Sequence, residues 1–557
     1  MFIQRLSSIL CILLGLVVVC IRSTVAEEPV KPLPGDAAIE CYLQQQTQRL
    51  SQRFLDGATT RAEWEMRKPR LRREYFDMLG LWPLPEKTQL HATITGTVER
   101  GEVVIEKLHF QSRPGLYVTG NLYRPKKSSG KLPAILYVCG HSGRGRDGNK
   151  TAFQDHGMWF ASNGYLCLII DTLQLGEIAG KHHGTYNLGR WWWQARGYTP
   201  AGVECWNGIR ALDYLVSRSD VDAERLSVTG ISGGGAATVW ISAADERVKV
   251  AVPVSGMSDL ESYVSHKVIN GHCDCMFLVN TYQWEWTTIA ALIAPRPLLF
   301  ANSDHDSIFP MDGNRRIIDR LRQVYKMYDK PERIDDFVSK GGHDYRPDLR
   351  IAVFKWINKH LKHDSSEVKD ADFKPLPGKE LRAFPEDKDI PADALNGKID
   401  ETFVPRALVK LPKEGEFAEW KKGLMKGLRE SSFRRFPARI PPSHKVEASV
   451  QVESEPGIHL SVVKPGRTMD IEEPGTVLVV DANNPSEADE QIRRLVASVA
   501  AERGIRVLWT RGSGKSTSWT RKSPPNYVER AHALLGQTVD QGRVWDIAAT
   551  LRSLGER

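Results

Sequence analysis

The 557-residue sequence predicts an α/β protein whose main sheet is mostly parallel. Three observations carry that expectation. Continuous apolar runs at 133–138, 165–170 and 297–301 read as strands covered on both faces. Amphipathic helical stretches lie between such runs with short connections, the alternation of a βαβ chain. A glycine-flanked serine at Gly230-Ile-Ser-Gly-Gly-Gly235 stands between a β-branched run and a helix-forming run, as a strand-to-helix turn requires.

The elements follow in order. Residues 36–80 read as amphipathic helix, closing near Gly80 and Pro83. Apolar positions then alternate through Val104, Ile105, Leu108 and Phe110, and again through Leu116, Val118 and Leu122. With Pro114-Gly115 between them, these predict a hairpin that opens the sheet. Strand 133–138, a glycine-rich loop, a helix near 151–163 and strand 165–170 come next. After a long insertion, Trp206, Ile209, Leu212 and Leu215 line one face of a helix. The serine turn, a strand at 248–254, strand 297–301, a helix over 311–328, a strand near 334–338 and a helix over 346–361 complete the alternation. In parallel sheets reactive groups collect at the carboxyl ends of the strands. The loops after Val138, Ile231, Ala301 and Val338 all fall there.

Length argues for two domains, because single cores stop growing near 250–300 residues. With 41% hydrophobic and 26% charged residues the composition is globular, and the net charge of +8 forms no dense basic run. No nucleic-acid partner is expected. At the N-terminus, Arg5, an apolar run over 9–21 and Thr24-Val25-Ala26 predict a secretory signal, residues 1–26. The run is too short to span a bilayer comfortably, and Val19 disfavours a lipoprotein cut before Cys20. The mature chain is expected to be exported, periplasmic or extracellular, without stable membrane insertion.

Two of the eight cysteines lie in that signal, and the other six are scattered and read as buried thiols. His272-Cys273-Asp274-Cys275 lacks a second cluster at ligand spacing. Neither it nor His182-His183 is taken as a metal site. No metal and no cofactor are expected.

A serine hydroxyl needs a base, and the base needs a carboxylate to fix its tautomer. Ser232 is the expected nucleophile. Asp306 is the expected acid, with Asp304 as the alternative, because Pro310 follows four residues later as in the usual acid loop of such enzymes. His343, in Gly341-Gly342-His343-Asp344, is the expected base. The oxyanion is assigned to the backbone amides of Gly233 and His141, with Ser142 as the alternative to His141.

Gly230-Ile-Ser-Gly-Gly-Gly235 with Asp222 and Arg225, Cys139-Gly-His-Ser-Gly143, Asp171-Thr-Leu-Gln-Leu-Gly176 and Arg113-Pro-Gly-Leu-Tyr117 resemble the acetyl xylan esterase-like branch of the α/β hydrolases, near the dienelactone hydrolases. The resemblance covers about residues 60–362. It implies an α/β-hydrolase fold, a Ser232–Asp306–His343 triad and a carbohydrate-ester hydrolase that needs no cofactor. Glucuronoyl esterases carry an arginine beside the serine, and this chain does not.

The insertion over 173–198 and the stretch before 297 are rich in tryptophan, and Trp191, Trp192 and Trp284 are assigned to the substrate surface. Residues 27–362 therefore form the catalytic domain, and 363–395, rich in Pro, Asp and Lys, form a linker. In 396–557, strands at 477–480 and 505–509, a helix opened by Ser486 and a last helix through Val544, Ile547, Leu551 and Leu554 repeat the order that leads to the serine turn. Trp206 to Leu215 even resembles Trp545 to Leu554. A second, incomplete α/β-hydrolase-like domain without catalytic residues is expected, with an exposed strand edge that packs on the first domain or is loosely folded. Gly512-Ser-Gly-Lys-Ser-Thr517 lacks the first glycine of a phosphate-binding loop.

The expected activity is a secreted serine esterase removing acetyl or similar acyl groups from poly- or oligosaccharides. A prolyl-oligopeptidase-type peptidase and a non-catalytic carbohydrate-binding protein are the alternatives. Deletion beyond about Asp370 is expected to leave activity largely intact.

Overall fold

A computed structural model describes residues 35–181, 183–445, 451–463, 477–481, 505–513, 519 and 526–555. The expected signal, His182, the helix opened by Ser486 and residues 514–517 of the glycine-rich loop lie outside the described residues.

The main sheet has nine strands: β1 (Thr93–Arg100), β2 (Val103–Arg113), β3 (Leu116–Pro125), β4 (Leu132–Val138), β5 (Leu166–Ile170), β6 (Val221–Ile231), β7 (Val248–Val254), β8 (Leu298–Ser303) and β9 (Ile334–Ser339). Their spatial order is β1-β2-β3-β5-β4-β6-β7-β8-β9. The first three meander antiparallel, and from β5 to β9 all pairings are parallel. This is the α/β-hydrolase fold.

Strand alternation splits the core into two layers. Ile135, Tyr137, Cys167, Ile169 and Val252 pack on one face against α3 (Gln154–Ser162) and α7 (Pro347–Ile357) through Phe160, Phe354 and Ile357. Leu136, Leu168, Ile170 and Val228 pack on the other against α4 (Pro200–Ser217) and α5 (Gly233–Ala244) through Leu212, Leu215 and Ile241. Between β8 and β9 runs α6 (Met311–Met327). The single helix expected over 36–80 is two, α1 (Gly35–Ser51) and α2 (Arg61–Met78). Leu55 and Asp56 take left-handed backbone between them, and Thr60 caps α2 with Glu63 in a reciprocal capping box. The edge strand β1 escaped sequence reading because most of its positions are exposed.

A second sheet contains β10 (His444–Lys445), β11 (Gln451–Glu455), β12 (Ile458–Val463), β13 (Val477–Asp481) and β14 (Ile505–Trp509), ordered β10-β11-β12-β14-β13. That is the order of β1-β2-β3-β5-β4. β12 meets β14 antiparallel, as β3 meets β5, and β13 runs parallel to β14, as β4 does to β5. The match extends to single hydrogen bonds. The Trp206 indole donates to Ser112 O at 3.0 Å while Ser112 Oγ donates to Asn207 Oδ1 at 2.7 Å. The Trp545 indole donates to Ser454 O at 2.9 Å while Ser454 Oγ donates to Asp546 Oδ1 at 2.6 Å. Among the described residues β13 is an edge, where β4 has β6 beside it.

Residues 363–395 are not a free linker. They run as a strap over the first domain with Leu381, Ala383 and Phe384 buried. Asn121 Nδ2 donates to Leu381 O, the Trp159 indole to Lys369 O, and Glu177 accepts the amides of Ala383 and Phe384. Asn396 and Asp400 continue the strap, holding Tyr117 and the Trp193 indole. The anchors are single residues without period, so the sequence shows only their polar spacers. Of these anchors, deletion beyond Asp370 leaves only Lys369 and removes those at Leu381, Ala383, Phe384, Asn396 and Asp400. A helix unseen in the sequence, α8 (Phe417–Ser431), follows the strap.

The second domain docks through α9 (Tyr527–Leu534), which precedes α10 (Val539–Gly555). Tyr527 OH donates to Val264 O, Arg530 to Ile269 O and His272 O, and Asn526 to Thr185 O.

Candidate active site

Ser232 sits between β6 and α5 with φ 60° and ψ −120°, a conformation ordinary residues avoid. Its amide donates to Val254 O and its carbonyl accepts from Ala236, so neighbouring elements hold the strained residue. The glycines make the turn possible. A Cβ on Gly230 or Gly234 would stand 2.0 or 2.1 Å from Val138 O, so only glycine lets the end of β4 pass this close.

Asp306 and His343 meet at the carboxyl ends of β8 and β9. Asp306 Oδ2 lies 2.7 Å from His343 Nδ1, while Oδ1 accepts the amides of Ile308 and Phe309, both at 2.9 Å. The carboxylate is fixed on both oxygens. Burial alone would raise its pKa, but His343 and the two amides outweigh this and hold it below the usual carboxylate range. The alternative, Asp304, is turned elsewhere, to His305 Nδ1 at 2.6 Å and the Gly341 amide at 2.8 Å. Phe309 packs between His343 and His272. Burial pushes His272 down to about 4, and its Nε2 faces Ile308 O at 2.8 Å. A neutral imidazole there braces the acid loop.

The Ser142 amide donates to Gly140 O and is thereby withdrawn from the oxyanion role, whereas His141 stays in the loop after β4 beside the serine turn. Its ring lies against Gly233: a Cβ on that glycine would stand 2.5 Å from His141 Cε1.

The tryptophan assignments fare differently. Trp284 is core, 5% exposed, with its indole on Glu74 Oε2 at 2.9 Å and its ring stacked on Tyr75. It is no substrate surface; a tryptophan near a strand end looks the same in sequence whether it faces solvent or a helix. Trp191 lines a cavity of about 670 Å³ with Arg196, Phe433, Arg434 and Gln541, between the insertion and the second domain, and no triad residue lines it. Trp192 is exposed and flanked by Arg190 and Arg196.

Sequence reading missed two groupings. Lys150, fully buried, lies 2.9 Å from Asp171 Oδ2 and 2.6 Å from Glu177 Oε1, tying the start of the insertion to the strap. His141 Nε2 lies 3.2 Å from both Cys273 Sγ and Cys275 Sγ, with Glu204 nearby. Burial opposes charge on His141, but Cys273 outweighs it and pushes the ring up to about 9. Burial pushes Glu204 up to about 7 against the Leu173 amide it accepts. A charged residue on the apolar face of α4 was the available signal for Glu204.

Residues 152–364 match the model of the prolyl oligopeptidase family. The chain is 28% identical over 307 residues to the putative hydrolase YtaP of Bacillus subtilis, covering 52% of this chain and 98% of that one. It is 23% identical over 274 residues to the uncharacterized peptidase YuxL of the same organism, covering 46% and 39%. Among solved structures, methylesterase BT1017 superposes with a TM-score of 0.50 at 24% identity, over 70% of this chain and 82% of that one. A serine on a strained strand-to-helix turn, on this sheet and with these relatives, makes the chain a hydrolase of the serine α/β type.

Proposed function

We propose that the protein is an exported serine esterase that removes acetyl or similar small acyl groups from poly- or oligosaccharides. The observation that carries this reading is the Asp306–His343 pair, fixed at 2.7 Å on the same edge of the sheet as strained Ser232. In this reading Asp306 holds the proton on His343 Nδ1, leaving Nε2 to accept the Ser232 proton as Oγ attacks the ester carbonyl. The amides of Gly233 and His141 receive the oxyanion, His343 returns the proton to the leaving sugar oxygen, and water repeats the sequence to release the acid. Hydrolysis of a chromogenic acetate by wild type and by Ser232→Ala tests it, with acetylated, feruloylated and methyl-glucuronoyl sugars defining the ester. Unchanged turnover by Ser232→Ala rejects the assignment.

The family match over 152–364 favours a second reading, a peptidase with the same nucleophile. Turnover of proline amides in preference to acetates selects it.

A further inference from the structure

The loop after β4 and the loop over 272–277 bring three soft donors to one point. His141 Nε2, Cys273 Sγ and Cys275 Sγ lie within 4.8 Å of one another, with both cysteines buried and His141 half-buried. The sulfurs stand 2.7 Å apart, and the imidazole nitrogen is 3.2 Å from each. A disulfide bond is about 2.05 Å long and gives an imidazole no reason to face both sulfurs equally. Three donors converging on a common centre is the geometry of metal ligands. Tetrahedral zinc, with Zn–S about 2.3 Å and Zn–N about 2.0 Å, needs the sulfurs opened by roughly 1 Å, within reach of two side-chain rotations.

We propose that His141, Cys273 and Cys275 bind one zinc ion beside the serine turn. Two thiolates and one imidazole suit zinc among the common divalent cations, since calcium and magnesium want oxygen ligands. A cavity of about 10 Å³, room for a single water, borders His141, Cys275 and Glu204 and takes the fourth ligand. Glu204 accepts the Leu173 amide through Oε1, which fixes the carboxyl next to that cavity. The loop that supplies the sulfurs is braced independently. Asp274 accepts from the Thr185 amide and hydroxyl, and Arg530 of the second domain grips His272 O.

The ion would join two loops more than 130 residues apart in sequence, one of which carries the His141 amide. Binding itself does not depend on which ester is cleaved, so its test reads metal rather than turnover.

Full-length protein produced with added zinc and freed of loose metal by gel filtration should carry about one zinc per chain by elemental analysis. Cys273→Ser/Cys275→Ser should retain less than about a tenth of that, while Cys41→Ser, outside the cluster, retains all of it. Cobalt exchanged into wild type should give thiolate-to-metal charge-transfer absorption, absent from the double variant. If the double variant fails to fold, the wild-type zinc content and cobalt spectrum still decide. Zinc-free wild type whose two cysteines react as free thiols overturns the proposal, and so does a Cys273–Cys275 peptide lighter by two hydrogens, which would show a disulfide.

Discussion

The two sheets of this chain share a strand order, a tryptophan-to-strand hydrogen bond and a neighbouring hydroxyl bond, yet among the described residues the strained serine turn follows the first alone. In the first, β4 is followed in space by β6, and the turn after β6 carries Ser232. In the second, β13 has no strand beyond it among the described residues. The difference teaches that the shared half is a scaffold: it buries a helix against a meander and one parallel pair. The proposed chemistry enters with the strands beyond it, where β6, β8 and β9 lead into Ser232, Asp306 and His343.

The sharpest way to break that division is to remove the serine. Ser232→Ala should lower kcat on a chromogenic acetate by about 10⁶-fold, leaving the melting temperature within a few degrees. Activity that survived would move the reaction elsewhere, the second domain included.

The acid comes next. Asp306→Asn should lower kcat by about 10⁴-fold, as loss of the tautomer-fixing carboxylate does in other triads, while Asp304→Asn stays within severalfold of wild type. Equal losses would erase the distinction drawn from their partners. Asp306 also makes a pH prediction. Its folded pKa is depressed, so its stabilisation is present above the unfolded value near 4 and is lost as pH falls through the folded value. Acid denaturation of Asp306→Asn should therefore be shallower than that of wild type.

Each half also buries a cation between two carboxylates. Lys150 does so with Asp171 and Glu177, and Arg511 with Asp546 at 2.7 Å and Glu455 at 2.6 Å. Lys150→Met and Arg511→Met should each cost about 3–5 kcal/mol, because each takes the cation from a buried aspartate, Asp171 or Asp546, while Glu177 keeps Arg146 and Glu455 keeps Arg435. If urea melts show one transition for both variants, the halves unfold together; a separate early transition in Arg511→Met alone would show that the second domain melts by itself.

The smallest effect tests the equivalence directly. Trp206→Phe and Trp545→Phe each orphan one carbonyl, Ser112 O or Ser454 O, and should each cost about 1–3 kcal/mol. Only the first should alter kcat, since α4 also carries Glu204 beside the serine turn. Unequal costs beyond that range would show that the two bonds sit in different environments.

Much of the first domain was legible because its strands are buried on both faces and its turn glycines are forced by a close approach. Asp306 could be preferred to Asp304 from Pro310 alone, and the carboxylate partners agree with that preference. The strap was not legible: Leu381, Phe384 and Asp400 act singly, and a lone anchor has no period to detect. Nor was the His141 cluster, because its two cysteines lie in the segment after β7, far in sequence from the loop after β4 that carries His141. The tryptophans show the opposite failure. Composition marked Trp284 for a surface, and packing against Tyr75 placed it inside.

The hydroxyl of Tyr42, on the first described helix, donates to Glu455 at 3.0 Å and accepts from Gln537 at 3.0 Å, partners 413 and 495 residues away. A ribosome adding about 5–20 residues each second releases α1 long before either partner exists. That helix can already pack on Glu261–Ser265 of the first domain, but the Tyr42 hydroxyl must wait for tens of seconds before either partner is made. Closing the molecule over Tyr42 is therefore a late event of its synthesis, and nascent chains stalled before residue 455 should leave the Tyr42 side of α1 open to solvent even where the nine-stranded sheet has already formed.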